Sequence, residues 1–231
     1  MSERSTDLIE RKVLESILEG VIQPGEALLS ERDLATHYQV GRPTIREVLQ
    51  RLERDGWIAL RKGMPPIVND YLSSGNLMTI VRMIQLYENI PHHFFQHMLE
   101  LRISITPAYT KDAASTHRLK VISLLSNMDE LGEDPKHFAD YDWNLQRSLA
   151  SLSPNPVYLL LLNSFNDVYP KMAETYFSEE IYRKLSRKYY EALLDSLFQN
   201  DLELTEKITR EMMKSSLALW KEKTRGEKHE I

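Results

Sequence analysis

The chain has no cysteine among its 231 residues, so no disulfide framework can staple it. It also lacks any run of about 18 uncharged apolar residues, the length needed to span a bilayer. Met1 to Glu10 is polar and mixed in charge, without the apolar core of a signal peptide, and a cytoplasmic protein is expected. A positive surplus is missing too: 29 Lys and Arg stand against 34 Asp and Glu, for a net charge of −5. That balance argues against a protein that coats nucleic acid non-specifically. No nucleophile with its base, no phosphate loop and no paired-carboxylate motif is visible, so no enzyme is expected. The length exceeds one typical domain and falls short of two large ones, which favours a small module followed by a larger one.

What is present begins with an amphipathic pattern over Asp7 to Leu18, closed by Gly20. Pro24-Gly25 turns the chain, and Ser30 sits at an N-cap position with Glu31 and Asp33 in the following turn, which starts a second helix running to Tyr38. Gln39 to Arg42 make a tight turn in which Gly41 is expected to take a positive φ. Pro43 suits the start of a third helix ending near Asp55, with Ile45, Val48, Leu49 and Leu52 on its inner face. Thr44, Arg46, Glu47, Gln50, Arg51 and Arg54 fall on the other face. After Gly56, Trp57 to Leu60 and Ile67-Val68 read as short strands around a basic tip, Arg61-Lys62-Gly63. Helix, tight turn, second helix and hairpin make a winged helix-turn-helix, whose third helix would enter a DNA major groove.

Charge limits what this module can do alone. Met1 to Gly75 holds ten basic residues against twelve acidic ones. The window Arg32 to Lys62 holds seven (Arg32, Arg42, Arg46, Arg51, Arg54, Arg61, Lys62) against four (Asp33, Glu47, Glu53, Asp55). So small a surplus predicts a narrow footprint and a homodimer that adds two of them.

Ser73-Ser74-Gly75 reads as a short flexible break, giving a DNA-binding domain over 1–72, a linker over 73–78 and a helical domain over 79–231. Apolar periodicity marks about seven helices there: Leu77 to Tyr87, His92 to Ala114, Arg118 to Leu131, Lys136 to Leu152, Pro156 to Phe177, Glu179 to Gln199 and Asp201 to Lys223. Breaks fall at Pro91, Gly132 to Pro135, Ser153 to Pro156 and Asn200. The expected class is mainly α, with the small hairpin wing followed by an all-α antiparallel bundle able to hold a ligand.

Pro24-Gly25, Leu28, Ser30-Glu31-Arg32, Leu34-Ala35, Val40, Arg42, Thr44, Arg46-Glu47, Leu49, Leu52 and Gly56 together resemble the GntR family of bacterial transcription factors. The REVLQRLERDGW stretch and the helical half are most similar to its FadR subfamily, the fatty-acid-responsive regulators. The resemblance implies DNA contacts from Arg32, Arg42, Thr44, Arg46, Lys62 and Gly63. It departs from the subfamily pattern at Gly41 and Pro43, where threonines stand, and at Lys62, where a histidine stands. The commoner type of GntR effector domain binds a metal through one Asp and three His. Asp142 matches the Asp, but Gln146 replaces the histidine four residues on, and no histidine occurs between His137 and His229, so no metal site is implied. The subfamily instead binds long-chain acyl-CoA, which would place Arg102, Tyr169, Tyr176, Tyr190, Met213, Ser216 and Trp220 along the ligand path. Met213 stands where the subfamily has a glycine, and a bulkier side chain there would narrow the pocket or change the acyl group accepted.

The expectation is therefore a dimeric regulator of fatty-acid metabolism that binds a palindromic operator and is released or modulated by acyl-CoA, without membrane contact or cofactor. A regulator of the same architecture answering to a different small organic acid is the alternative. Residue by residue, other readings stay open. Tyr169, Tyr176, Tyr190 and Trp220 could be plain core; Arg102 could pair with Glu100; Asp142 could cap or pair inside the bundle. His93 and His97, four apart on one helix face, are spaced as two metal ligands would be, without a third.

Overall fold

The fold was read from a computed structural model, which describes residues 4–86, 92–126, 128 and 131–227. It divides into two units, Met1–Glu88 and Asn89–Ile231.

In the first unit, α1 (Ser5–Leu18), α2 (Glu31–His37) and α3 (Arg42–Arg54) pack around one apolar core. Ser30 caps α2 by accepting from the Asp33 amide at 3.2 Å. The α2–α3 turn differs from expectation in one detail: Gln39 takes the positive φ (55°), whereas Gly41 is extended as the N-cap of α3. The hydrogen bonds explain it. Val40 N–H reaches back to Ala35 O and Gln39 N–H to Thr36 O, a Schellman closure whose left-handed residue is counted from the end of α2 and therefore falls on position 39. The wing is β1 (Ile58–Ala59) antiparallel to β2 (Ile67–Val68), in the register Ile58↔Val68 and Ala59↔Ile67, with Ala27 bridging to Ile67 on the outer side.

The segment expected to be a flexible break is a capped turn of helix. Asp70 accepts from the Leu72 amide to start α4 (Tyr71–Ser74), and α5 (Leu77–Leu86) follows directly. Met83, Leu86 and Tyr71 pack against the core of the first unit, so α4 and α5 belong to it by burial. The last expected turn of α5, at Tyr87, and the expected break at Pro91 lie outside the described residues.

The second unit is all helix among the described residues: α6 (His92–Leu125), α7 (Pro135–Leu152), α8 (Pro156–Ser164), α9 (Tyr169–Phe177), α10 (Glu180–Phe198) and α11 (Leu202–Glu227). The long α11 lies along α6, α7 packs on α6 and α9, and α10 on α11. Two expectations differ from this. The break expected between Ala114 and Arg118 is a kink within α6 at His117 (φ −140°, ψ 38°), and Leu152 O bonds both Thr116 Oγ1 and the His117 ring nitrogen Nδ1. The single helix expected over Pro156 to Phe177 is split at 165–168 ahead of Pro170. A proline in a helix interior lacks the N–H and clashes with the preceding turn, so the chain restarts and places it in the first turn of α9. No helix among the described residues is long and apolar enough to cross a membrane.

Candidate DNA-reading surface and effector cavity

On the first unit, the residues expected to meet DNA are mostly turned outward. Arg32, Arg42, Arg46, Lys62 and Gly63 are exposed and Thr44 is half-buried. Gly63 at the wing tip has φ 77°, with open space where a Cβ would stand. The basic residues on α3 separate into two groups. Arg51 is committed to the body of the unit, donating to Asp7 at 2.9 Å, Glu10 at 3.2 Å and Glu47 at 2.6 Å. Arg54 pairs with the buried Asp55 at 2.7 Å. Arg82 of α5 closes the same cluster, its Nε 3.2 Å from Glu10 and 3.7 Å from Asp55. Two of the seven basic residues counted from sequence thus serve the fold. The outward surplus rests on Arg32, Arg42, Arg46, Arg61 and Lys62.

In the second unit, α6, α7, α8 and α9 line a cavity of about 50 Å³. Phe95, Leu99, Ile105, Leu162, Phe165 and Met172 make most of its wall apolar, and Arg102, Tyr169 and Tyr176 supply polar groups. Its wall, apolar with a few convergent polar groups, has the character of a ligand site, and a long apolar chain would need the surrounding helices to open.

Asp142 organises the polar end. Its carboxylate accepts from Tyr169 Oη at 2.5 Å, Tyr190 Oη at 3.0 Å and Gln146 Nε2 at 3.2 Å, and Arg102 Nη2 lies 3.5 Å away. Gln146 Oε1 accepts in turn from Tyr109 Oη at 2.6 Å. The amide at 146 therefore does hydrogen-bonding work where the metal-binding type would have a ligand. No group of three or more possible metal ligands exists among the described residues. Burial pushes the phenols of Tyr109, Tyr169, Tyr176 and Tyr190 up from their usual range, so all four are neutral donors at neutral pH. Burial works against the charge on Arg102, but the Asp142 carboxylate beside it outweighs burial at neutral pH and the guanidinium stays charged.

Tyr176 is the exception in this network. Its Oη is buried and makes no well-formed hydrogen bond among the described residues, with the Ser216 hydroxyl beside it as a weak partner. A buried donor without a well-formed bond costs about 1–3 kcal/mol, which an acceptor reaching it would relieve. The ring is held by stacking on Tyr182 at 4.1 Å and by Phe95 at 6.2 Å.

Of the residues expected along the ligand path, Arg102, Tyr169 and Tyr176 meet in this cavity. Tyr190 stands behind them through Asp142. Trp220 is buried on α11, stacked at 4.0 Å on the cavity residue Phe95 and donating to His92 O at 3.2 Å. Met213 and Ser216 are buried on α11 outside the cavity wall, and the Ser216 hydroxyl donates to Met212 O in its own helix. Arg102 pairs with Asp142, whereas Glu100 pairs with Lys221 at 3.2 Å. His93 and His97 are exposed, with ring centroids 6.2 Å apart. Sequence reasoning missed Tyr109 and gave Gln146 only the part of an absent ligand. A helical stripe could have found both: Arg102, Thr106 and Tyr109 are spaced i, i+4, i+7, and Gln146 is four residues from Asp142.

Comparison with known proteins identifies the family. Residues 6–68 match the model of the gntR family of bacterial regulatory proteins, and residues 69–228 match that of the FadR C-terminal domain. A fatty acid metabolism regulator protein of Shewanella pealeana is 34% identical over 184 residues, covering 80% of this chain and 77% of that one. The protein of the same name from Erwinia tasmaniensis is 30% identical over 211 residues, covering 91% and 89%. Among solved structures, the Listeria monocytogenes regulator Lar shares the fold, with a TM-score of 0.59 at 18% identity over 96% of this chain and 99% of that one. With one family model on the winged module and the other on the helical bundle, the chain belongs to the GntR family of bacterial regulatory proteins, as a FadR-type regulator of fatty acid metabolism.

Proposed function

We propose that the chain binds a palindromic operator as a homodimer, and that a long-chain acyl-CoA held in the second unit releases or modulates it. The DNA contacts in this reading come from Arg32, Arg42, Thr44, Arg46, Lys62 and Gly63, and the work is done in the cytoplasm without a cofactor. Five outward basic residues supply few phosphate contacts, so two copies on two half-sites are needed for firm binding at physiological salt.

The observation that carries the acyl-CoA reading is the weakly satisfied Tyr176 hydroxyl, with only Ser216 beside it, on a residue of an apolar cavity whose one charged lining residue, Arg102, already faces Asp142. A thioester carbonyl is a neutral acceptor and suits a neutral donor. A carboxylate would arrive beside Asp142 and meet like charge, which weighs against the alternative of a small organic acid. Arg102, Tyr169, Tyr190, Met213, Ser216 and Trp220 complete the proposed ligand set, with Ser216 and Trp220 backing Tyr176 and Phe95. Calorimetric titration of the full chain with oleoyl-CoA and with oleate tests it. Micromolar binding of the thioester and a weaker response to the acid are expected, and the reverse order would overturn the choice of ligand.

A further inference from the structure

The reading surface carries the charge pairs of Arg32 with Asp33, at 3.3 Å, and of Arg46 with Glu31, and the second joins two helices. Ser30 starts α2 and so puts Glu31 in its first turn, while Arg46 is the fifth residue of α3. The two side chains meet across the turn. Arg46 Nη2 donates to Glu31 Oε1 at 2.8 Å and Arg46 Nε to Glu31 Oε2 at 3.3 Å. This contact uses the side-on edge of the guanidinium. The end-on fork, made by Nη1 and the second N–H of Nη2, is left uncommitted. The Arg46 side chain is 62% exposed and that of Glu31 31%, so the carboxylate lies behind and the fork in front.

Glu31 is an awkward residue for a surface that must approach phosphates, where a lone carboxylate repels. Neither does the cap of α2 need it, because Asp33 already accepts from Ser30 Oγ at 2.6 Å in the same turn. Its geometric effect is to fix a long, flexible side chain. An arginine held by one edge has given up most of its rotamer freedom before DNA arrives, and its remaining edge matches the O6 and N7 acceptors of guanine in the major groove.

We propose that Glu31 is a positioning residue for base reading: it holds Arg46 side-on so that the end-on fork meets a guanine. The proposal rests on the DNA-reading assignment of α3. Because the pair is neutral as a whole, Arg46 adds direction more than charge, and its contribution belongs to sequence preference and little to general affinity.

The test is to select duplexes from a randomised library with the full-length chain, and then to repeat the selection with Glu31→Gln and Arg46→Ala. Both variants should lose the guanine preference at the same base pair and keep the rest of the profile. Binding of Glu31→Gln to the wild-type-selected duplex should fall by about three- to tenfold, while its binding to a scrambled duplex stays level or rises. Retention of that guanine by Glu31→Gln, when Arg46→Ala loses it, would overturn the proposal. So would an Arg46→Ala profile equal to the wild type's. Failure of the wild-type chain to enrich any duplex would instead strike the operator-binding reading itself, which keeps the two failures apart. A general structural role for Glu31 would lower thermal stability and affinity for every duplex together, and would not act on one base pair.

Discussion

At the scale of single residues, α3 shows how one chemical type divides its labour. Arg42, Arg46, Arg51 and Arg54 lie within 13 residues, yet Arg51 and Arg54 are each tied to a buried carboxylate, Glu10 and Asp55, whereas Arg46 pairs only with the half-buried Glu31. Glu10 is buried, 4% exposed, and receives Arg51 on one side and Arg82 on the other. Removing one cation from a buried pair leaves charge uncompensated, which costs about 3–5 kcal/mol when nothing replaces it. Arg82 replaces it in part, so Arg51→Ala should lower the stability of the first unit by about 2 kcal/mol. Denaturant unfolding read by tryptophan fluorescence in a background with Trp143 and Trp220 replaced by Phe, which leaves the fully buried Trp57 as reporter, measures that change. The profile of preferred bases should stay as in the wild type. An unchanged unfolding midpoint together with an altered profile would mean that Arg51 reads DNA after all.

At the scale of elements, the C-terminal end of α3 is where the first unit is most tightly built. Thr79 Oγ1 donates to the Asp55 carbonyl at 2.5 Å, Asn76 Nδ2 to the Arg54 carbonyl at 3.1 Å, and Asn69 Nδ2 to that of Gly56 at 3.1 Å. The start of α5 therefore caps the end of the recognition helix. Gly56 permits this. Its φ is 84°, and an added Cβ would stand 2.6 Å from Ser74 O and 2.9 Å from Gly75 Cα. Gly56→Ala should then cost about 3 kcal/mol or more, left-handed strain plus a backbone clash that no rotamer change relieves. Gly63→Ala should cost only about 1 kcal/mol, because its φ is similar but its surroundings are open. Unfolding midpoints of the two variants give the comparison, and equal losses would mean that the close approach at Gly56 has no energetic weight.

The same end of α3 marks the limit of what the sequence makes legible. The caps, the wing and the helical character of the second half all follow from local chemistry: Ser30, Gly56, Pro135 and Asn200 each punctuate where their backbone preferences require. The packing of α4 and α5 on the first unit does not follow, because Ser73-Ser74-Gly75 has loop composition, and it is Tyr71, Met83 and Leu86 on either side that meet a core built earlier in the sequence. The cavity was legible only in part. Arg102, Tyr169 and Tyr176 could be picked out through family resemblance, whereas Asp142 as acceptor of three hydrogen bonds and partner of Arg102 depends on α6, α7, α9 and α10 converging.

At the scale of the whole molecule, the proposed function is a statement about coupling between the reading surface and the cavity. If acyl-CoA lowers operator affinity by some factor, thermodynamic linkage requires the operator to lower acyl-CoA affinity by that same factor, typically about 5- to 150-fold. The magnitude is set by how differently the ligand binds the DNA-competent and the released states, and a ligand that binds both alike shifts nothing however tightly it is held. Two titrations measure the loop from its two ends: operator into the full chain with and without saturating oleoyl-CoA, and oleoyl-CoA into the full chain with and without saturating operator. Equal factors are expected within error, and both should collapse toward one in Tyr176→Phe if that hydroxyl is what recognises the thioester. Tight oleoyl-CoA binding that leaves operator affinity untouched would separate the cavity from regulation and leave the DNA-reading surface to be controlled by something else.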